Sequence, residues 1–575
     1  MTRAMWCSSD KHLECSACHF AVDQDATECS QCHEEFDEPA DDIVFEEVAG
    51  PQQEEPATPQ NIERFECPAC GVAVEEEDDE CRSCGTEFAD GVEEEPARIR
   101  AIVGAARAAA QVPATTPRQA IQNQPARVAE ENTLTGIVAE RYDRQARIKG
   151  WDQKEIEGTV LTIVGYNTFS EYLALSASAL GIGKICIIST PRDLPGPEAP
   201  MLKLSNGQSR TDRLSDMVKK VGNADLEFLI ANMTSNAEKY LLNGSSVVVD
   251  ATDRHESRAL VFDYMENESK HRHSEFVHFY EKGFLMLDHR NNLNPLYDKS
   301  AAAHDVITAM LAAGLALEEI KKASLNSCEK KEIVSYEFAN ANNVKEDYSP
   351  YNVLLIGAGA LGNFVGQGLA ALGFNLVDIL DFDTIEVTNL NRQLMFYGSV
   401  NQPKAKVLAE RCAIIRGPDA KYESIIEKFD EKFSLEKYDL VIDCVDNFET
   451  REIISKACVG AKVPLASGAT SYSAGQAVLY VPGKTGCPNH MLGLEELAKR
   501  AREAVAQRER EGTGCIVQPD PSVIMSNQVV ASLVMNSIRQ LFYPQAFGEP
   551  FGGQVGYRAE GAQRLGKIEI APCGD

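Results

Sequence analysis

The sequence predicts an α/β protein in which two similar domains with mainly parallel sheets follow two small cysteine-rich modules. Three observations lead to this prediction. Apolar strands alternate with helical patterns from about residue 134 onward. A long repeat, with an offset of 192 to 193 residues, divides that region into two copies. A short repeat, with an offset of 52 residues, organises eight of the 17 cysteines.

The long repeat is visible in segments that correspond in character and in place. The pairs are Val247–Asp253 with Asp439–Asp446, Arg258 with Arg451, and Ala303–Leu317 with Asn527–Ile538. We therefore assign residues 134–340 and residues 345–575 to two copies of one α/β domain.

The short repeat consists of two copies of C-x2-C, ten residues, C-x2-C, within residues 11–37 and 64–90. Four thiolates complete a tetrahedron around Zn²⁺ and leave no open position, which predicts two structural zinc ribbons. The ligand sets are Cys15, Cys18, Cys29 and Cys32, and Cys67, Cys70, Cys81 and Cys84. Disulfides are the alternative, which a reducing compartment disfavours. An acidic linker (residues 38–63) separates the ribbons, and a flexible linker (residues 91–133) follows them.

The net charge of −31 is concentrated near the N-terminus, where residues 1–96 hold 28 Asp and Glu against 4 Lys and Arg. Such a surface disfavours nucleic acid and anionic membranes as partners and suits a basic protein. No apolar run reaches the roughly 18 residues of a membrane span, and no signal-peptide pattern opens the chain. We expect a cytoplasmic protein.

The second copy contains a nucleotide-binding βαβ pattern. The apolar strand that begins at Val353 runs into the G-x-G-x-x-G turn of Gly357, Gly359 and Gly362, and a second strand ends at Asp381. The segment Asn389–Gln393 follows and places amides and a guanidinium where phosphates would lie. This combination favours ATP chemistry over hydride transfer.

The first copy lacks most of these features. The glycine turn becomes Gly165–Ser170, in which two of the three glycines are lost, and the acid gives way to Ser189. Backbone without glycine cannot approach a phosphate closely. We interpret the first copy as one whose nucleotide site has decayed; a site for another ligand is the alternative.

Four motifs in the second copy, in this order, resemble the ubiquitin-activating superfamily that includes ThiF, MoeB and HesA. They are the glycine turn, Asp381–Gln393, Gln402–Lys404 and Asp443–Asn447. The resemblance covers about residues 134–575 and implies two Rossmann-like ThiF-type domains in tandem. It also implies ATP-dependent adenylation of a C-terminal carboxylate.

The resemblance assigns roles at the ATP site residue by residue. Gly357, Gly359 and Gly362 would admit the nucleotide, Asp381 with Asp383 would lie at the ribose, and Asp446 would hold Mg²⁺. The phosphates would be gripped by Asn389, Arg392, Gln393 and Lys404.

A further motif, Glu140–Trp151, resembles the R-Y-x-R-Q entrance of the inactive subunit in heterodimeric activating enzymes. In that family the segment lends an arginine to the partner's ATP site. Here it would make the chain an internal pseudo-dimer, in which Arg144 reaches the nucleotide of the second copy. An ordinary exposed helix start is the alternative.

Thioester formation on a cysteine is the second step that the resemblance implies, and Cys515 is the candidate nucleophile. Cys487 is its rival, and Cys487, His490 and Cys573 are further candidate zinc ligands. Cys444 is predicted to be core, and residues 494–510 a charged helix.

We therefore predict an activating enzyme for a ubiquitin-like modifier with a C-terminal Gly-Gly. A conjugating enzyme is a further possible partner. The alternatives are a sulfur-carrier adenylyltransferase for thiamine, molybdopterin or tRNA thiolation, a small-molecule or peptide carboxyl adenylating enzyme without a thioester, and a zinc-ribbon scaffold with a vestigial adenylation domain.

Overall fold

The structure is a computed structural model. It describes five short strands between residues 5 and 74, and residues 140–570 with gaps at 192, 194–195, 253, 269–272, 292, 297–299, 303, 330, 338–343 and 511–519. We call residues 140–337 the first half and residues 344–570 the second half. No helix in the described part of the chain is both long and apolar enough to span a bilayer.

The N-terminal region contributes only two-residue strands to the described part. Strands β1 (Met5–Trp6), β2 (Leu13–Glu14) and β3 (Ala21–Val22) form an antiparallel sheet. Strands β4 (Phe65–Glu66) and β5 (Ala73–Val74) pair separately. The eight predicted zinc ligands lie outside the described residues.

A seven-stranded sheet forms the centre of the first half, in the order β12-β11-β10-β9-β6-β7-β8. Its strands are β6 (Val160–Val164), β7 (Lys184–Ser189), β8 (Asp225–Ile230), β9 (Val247–Asp250), β10 (His273–Tyr280), β11 (Gly283–Asp288) and β12 (Val334–Glu337). Strands β6 to β10 pair in parallel, and β11 and β12 are added antiparallel.

An eight-stranded sheet forms the second half, in the order β15-β14-β13-β16-β17-β18-β19-β20. Its strands are β13 (Asn352–Ile356), β14 (Leu376–Leu380), β15 (Lys421–Ile425), β16 (Leu440–Asp443), β17 (Leu465–Thr470), β18 (Ala474–Tyr480), β19 (Gly553–Arg558) and β20 (Leu565–Glu569). The first five pair in parallel, in the same spatial order as β6 to β10. The shared order is what the long sequence repeat predicts.

Helices connect the parallel strands and cover the sheets. In the first half they are α1 (Asp143–Ala146), α2 (Gln153–Gly158), α3 (Thr168–Leu180), α4 (Arg210–Val221), α5 (His255–Glu268) and α6 (Val306–Ser324). In the second half they are α7 (Ala360–Leu372), α8 (Lys404–Arg416), α9 (Phe448–Ala461), α10 (Pro488–Leu492), α11 (Leu494–Arg510), α12 (Ile524–Phe542) and α13 (Pro544–Phe547). Helix α11 confirms the charged helix predicted for residues 494–510.

The two halves share one hydrophobic core, and the equivalent helices α6 and α12 pack against each other across it. Gly314 lies at this contact, where a Cβ atom would come within 2.9 Å of Val529 Cγ2. Gln528 crosses the boundary, because its Nε2 donates to Met310 O at 2.9 Å and its Oε1 accepts from Ser176 Oγ at 2.7 Å. A continuous core and buried cross-links of this kind fix the position of one half against the other.

Candidate functional site

The candidate site lies at the edge of the second sheet where β13, β14 and β16 end. The order reverses between β13 and β16, because the chain proceeds outward from β13 to β14 and β15 on one side and from β16 to β17 on the other. Ligands of open parallel sheets bind at such a reversal, outside the carboxyl ends of the strands. The glycine turn, Asp381 and the segment Asp443–Asp446 meet at this edge.

Each glycine of the turn has its own steric reason. Gly357 has φ +94°, and a Cβ there would lie 2.7 Å from Cys444 O. A Cβ on Gly362 would lie 2.0 Å from Gly357 O, so this glycine lets α7 pack directly under the turn. Gly359, the N-cap of α7, has nothing within 4 Å of its Cβ position. Gly357 and Gly362 are needed to shape the turn. Gly359 leaves open space in front of the helix N-terminus, which is where phosphates bind to proteins.

The equivalent turn of the first half is closed by its own side chains. Asn167 Oδ1 accepts from Ser170 N at 3.1 Å, and Asn167 N donates to Ser170 Oγ at 2.8 Å. This capping box satisfies backbone groups that a phosphate would otherwise bind. Tyr166, the first residue of the replaced segment, donates its hydroxyl to Glu171 Oε1 at 3.0 Å.

The first half supports its turn with an acid from another position. The acid is missing at Ser189, but Asp193 takes over its structural contact, since Asp193 Oδ2 accepts from Tyr166 N at 2.7 Å. In the second half, Asp381 Oδ2 accepts from Ala358 N at the same distance. An acid thus supports the turn in both halves, supplied from a different loop position in each.

Asp381 and Lys404 are connected through Asp383 by a hydrogen bond and an ion pair. Asp381 Oδ1 accepts from Asp383 N at 2.8 Å, and Asp383 Oδ2 pairs with Lys404 Nζ at 2.8 Å. Burial raises the pKa of Asp381, and the nearby Lys404 opposes that shift. The Lys404 ammonium is therefore held at the N-terminus of α8, next to the predicted ribose and phosphate positions.

The next segment of the site, Asn389–Gln393, is largely buried. Asn389 Oδ1 accepts from Glu386 N at 3.0 Å, a contact that shapes the loop. Arg392 Nη1 donates to Thr388 O at 2.7 Å and to Asn391 Oδ1 at 2.8 Å. Gln393 Oε1 is buried and has no hydrogen-bond partner in the described residues. A buried, unpartnered amide oxygen at this position is a candidate contact for a ligand.

Helix α1 of the first half lies against this segment. Asn391 Nδ2 donates to Gln145 Oε1 at 2.8 Å, and Arg141 Nη2 donates to Leu390 O at 2.8 Å. Arg144 Nη1 donates to Asp520 O at 2.9 Å, just before α12. The structure thus places the R-Y-x-R-Q segment of one half on the N-L-N-R-Q segment of the other.

Arg144 of the first half lies near enough to Arg392 of the second half for its charge to act on that guanidinium group. Burial and the neighbouring Arg144 lower the pKa of Arg392 to about 9. The pKa of Arg144 is also lowered, by burial and then by Arg147. Two like charges held close together in a partly buried site favour a bound anion, which removes their repulsion.

The two aspartates of the Asp443–Asp446 segment have different environments. Asp443 is fully buried, accepts from Ser467 Oγ at 2.7 Å and pairs with Arg451 at 3.2 Å. Asp446 is exposed and lies close enough to Arg392 to act on its charge. An exposed carboxylate beside a phosphate site fits Mg²⁺, which takes one or two carboxylates together with phosphate oxygens and waters.

The candidate cysteines fall into three groups. Cys444 is buried, and burial raises its pKa well above the ordinary value, so its prediction as core is confirmed. Cys487 is buried at the N-cap of α10, with Sγ 3.0 Å from His490 Nδ1. Cys515 and Cys573 lie outside the described residues. Among the residues that the structure describes, no group of three or more His, Cys, Asp or Glu side chains is arranged for a metal ion.

Sequence reasoning missed four residues that organise the site. Asn363 joins the glycine turn to the next loop, because its Nδ2 donates to Ala358 O at 3.2 Å and its Oδ1 accepts from Met395 N at 2.8 Å. The others are Gln145, Asn391 and Arg451. Asn391 and Gln145 stand inside the quoted motifs, but their partners become visible only when the halves are docked.

The fold and the site define an α/β domain with guanidinium groups and amides at the carboxyl ends of its parallel strands. In comparison with known proteins, residues 337–545 match the ThiF family. The chain is 36% identical over 143 residues to a molybdopterin-synthase adenylyltransferase of Haemophilus influenzae. The aligned segment covers 24% of this chain and 57% of that protein.

Two further relatives match shorter shares of their own length. The adenylyltransferase and sulfurtransferase MOCS3-1 of Zea mays is 36% identical over 135 residues, 23% of this chain and 29% of that protein. The SUMO-activating enzyme subunit uba-2 of Caenorhabditis elegans is 30% identical over 193 residues, 32% of this chain and 31% of that protein. The chain thus spans between about a third and a little over half of these relatives.

Proposed function

We propose that the chain is an adenylating enzyme that uses ATP to activate the C-terminal carboxylate of a ubiquitin-like or sulfur-carrier protein. The ThiF family domain at residues 337–545 supports this proposal, and so do relatives named adenylyltransferases and a SUMO-activating subunit. The scaffold alternative is disfavoured, because residues 357–446 keep the whole set of glycine, aspartate, arginine and lysine residues that the adenylation motifs require.

The single observation that carries the proposal is that the segment of Arg144 packs on the segment of Arg392, through the bond from Asn391 Nδ2 to Gln145 Oε1 at 2.8 Å. In adenylation a carboxylate oxygen attacks the α-phosphorus of ATP, a phosphorus–oxygen bond to the leaving group breaks, and pyrophosphate departs. An anionic nucleophile meets a polyanion, so the site must supply positive charge. Arg144, Arg392 and Lys404 supply it, and Gln393 offers an amide.

The remaining residues position the nucleotide. Gly359 lets the phosphates approach the N-terminus of α7, and Asp381 accepts the ribose hydroxyls while it supports the glycine turn. Asp446 would hold Mg²⁺, which neutralises phosphate charge when bound. The first half contributes Arg144 and no nucleotide site of its own, so one chain provides what two subunits provide in a heterodimer.

The step after adenylation distinguishes the two candidate functions. A modifier-activating enzyme passes the acyl group to a thiol, for which Cys515 is the proposed nucleophile. A sulfur-carrier enzyme hands the adenylate on for conversion to a thiocarboxylate. The zinc ribbons would bind a partner, such as a conjugating enzyme or another protein with a basic surface.

The test is exchange of labelled pyrophosphate into ATP, measured on the full chain with Mg²⁺ and a ubiquitin-like protein that ends in Gly-Gly. The matched control is the same ubiquitin-like protein without its two C-terminal glycines. Exchange that depends on the Gly-Gly end is expected, and its absence with a panel of ubiquitin-like and sulfur-carrier proteins would contradict the proposal. A thiol-sensitive adduct on a non-reducing gel, lost in Cys515→Ala, would select the modifier function.

A further inference from the structure

A cluster of reactive side chains lies in the first half, away from its closed glycine turn. His273 and Glu275 are two residues apart on β10, so both side chains point to the same face of the sheet. They stand at the amino end of this parallel strand, whereas the glycine turn follows the carboxyl end of β6. Cys328 comes from the turn after α6, where Asn326 has φ +54° and the chain reverses.

The three side chains form a continuous chain of hydrogen bonds. Cys328 Sγ lies 3.7 Å from His273 Nδ1, within hydrogen-bonding distance for sulfur. His273 Nε2 lies 2.6 Å from Glu275 Oε1. The second carboxylate oxygen, Glu275 Oε2, accepts from Lys331 Nζ at 2.5 Å. A thiol, an imidazole and an orienting carboxylate in this order make up the arrangement that activates cysteine nucleophiles.

The hydrogen-bond partners of His273 favour the protonated form of its ring. Glu275 and Lys331 are fully buried and neutralise each other. Burial alone favours neutral His273, but hydrogen bonds to Cys328 and Glu275 outweigh it and raise the pKa of His273 to about 10. Arg290 donates to Glu329 O at 2.7 Å and pairs with Asp288 at 2.7 Å, so its charge is already balanced and the loop that carries Cys328 is anchored.

Access distinguishes Cys328 from the other described thiols. Cys186, Cys412, Cys444, Cys458 and Cys487 are all buried, whereas Cys328 is partly exposed and its neighbours Ser327 and Glu329 are exposed. A reactive cysteine needs both a basic partner and a path to solvent. Cys328 meets both conditions.

We propose that Cys328, His273 and Glu275 form a nucleophilic thiol site, separate from the adenylation site, whose substrates are small hydroperoxides. The sulfur attacks one peroxide oxygen, an S–O bond forms and the O–O bond breaks. Sulfur is oxidised by two electrons to a sulfenic acid, and the peroxide is reduced. The departing hydroxide or alkoxide takes the proton that His273 holds at Nδ1 and leaves as water or an alcohol. Glu275 is a positioning residue, because it touches only the ring and Lys331.

The experiment uses the full chain treated with hydrogen peroxide, with sulfenic acid trapped by dimedone and quantified for each cysteine peptide by mass spectrometry. Cys328 should react at least about tenfold faster in the folded protein than in the urea-unfolded chain, because only the folded state places His273 beside it. His273→Asn should remove this advantage and move the pH profile of the reaction toward that of an ordinary thiol. His289→Asn is the matched control, since the His289 ring lies 5.7 Å from that of His273 and bonds instead with Ser274 N.

Equal rates for Cys328 in the folded and unfolded chains would overturn the proposal, and so would a folded His273→Asn variant that reacts like the wild type. If His273→Asn does not fold, the comparison of the folded and unfolded wild-type chain decides alone. Because adenylation is measured separately, either result leaves the proposed function untouched.

Discussion

Asn391 Nδ2 donates a hydrogen bond to Gln145 Oε1 across 246 positions of sequence, and this bond joins the two halves at the candidate site. Asn391 also accepts from Arg392, so the first half is coupled to a phosphate-side guanidinium through one side chain. Gln145 in turn donates to Leu180 O at 2.9 Å and to Gln153 Oε1 at 2.7 Å. The bond therefore connects the core of one half to the site of the other.

Removing this bond should weaken both the fold and the site. Gln145→Ala leaves buried polar groups unpaired, which costs about 1–3 kcal/mol, and it frees Arg392 to move. We expect a lower melting temperature and weaker ATP binding, measured by thermal denaturation and calorimetry. Gln153→Ala is the control. Gln153 also bonds with Gln145, but both residues belong to the first half, so this variant leaves the bond to Asn391 in place. ATP affinity that falls equally in both variants would contradict the coupling.

Gly359 should separate folding from nucleotide binding. Gly359→Ala has free space around the new methyl group, so the protein should fold normally, but the methyl group stands where phosphates approach α7. ATP affinity should fall by about tenfold or more while the melting temperature holds. Gly460→Ala is the matched control, because it also has nothing within 4 Å and lies in helix α9. Normal ATP binding by Gly359→Ala would show that the phosphates bind elsewhere.

Substitution of the two aspartates of the Asp443–Asp446 segment should affect different properties, protein stability in one case and the Mg²⁺ requirement in the other. Asp443→Asn leaves the buried Arg451 without its charge partner and should destabilise the fold by about 3–5 kcal/mol. Asp446→Asn alters an exposed side chain and should leave stability unchanged while raising the Mg²⁺ concentration needed for ATP binding. Denaturant unfolding and Mg²⁺ titration separate the two effects. An Asp446→Asn variant with unaltered Mg²⁺ dependence would rule out this residue as the ligand.

One ATP should bind to each chain. The Asn167–Ser170 capping box already bonds the amides of Asn167 and Ser170 at the start of α3, so these groups are not available to phosphates. Isothermal titration calorimetry should give a stoichiometry of one. A stoichiometry of two would mean that the first half retains a nucleotide site, against its interpretation as decayed.

The sequence predicted the parts of the site that depend on local geometry. The glycine turn and Asp381 follow from a strand, a turn and a helix that are close in sequence, and the repeat predicted that both sheets share one strand order. It could not predict contacts that arise from docking, such as the bond between Gln145 and Asn391. Nor could it show that Asp193 replaces the missing acid, since that depends on the path of a loop. The thiol cluster was equally hidden, because Cys328 and His273 are 55 positions apart.

The measurement that tests the central claim most directly compares Arg144→Ala with Arg147→Ala in pyrophosphate exchange and in ATP binding. Arg147 is the matched control, because it pairs with Asp143 at 2.9 Å on the exposed side of the same short helix. If the first half completes the site of the second, Arg144→Ala should slow exchange by about 10²-fold and Arg147→Ala should change it less than about twofold. Equal exchange rates in the two variants would show that the two halves do not share one adenylation site.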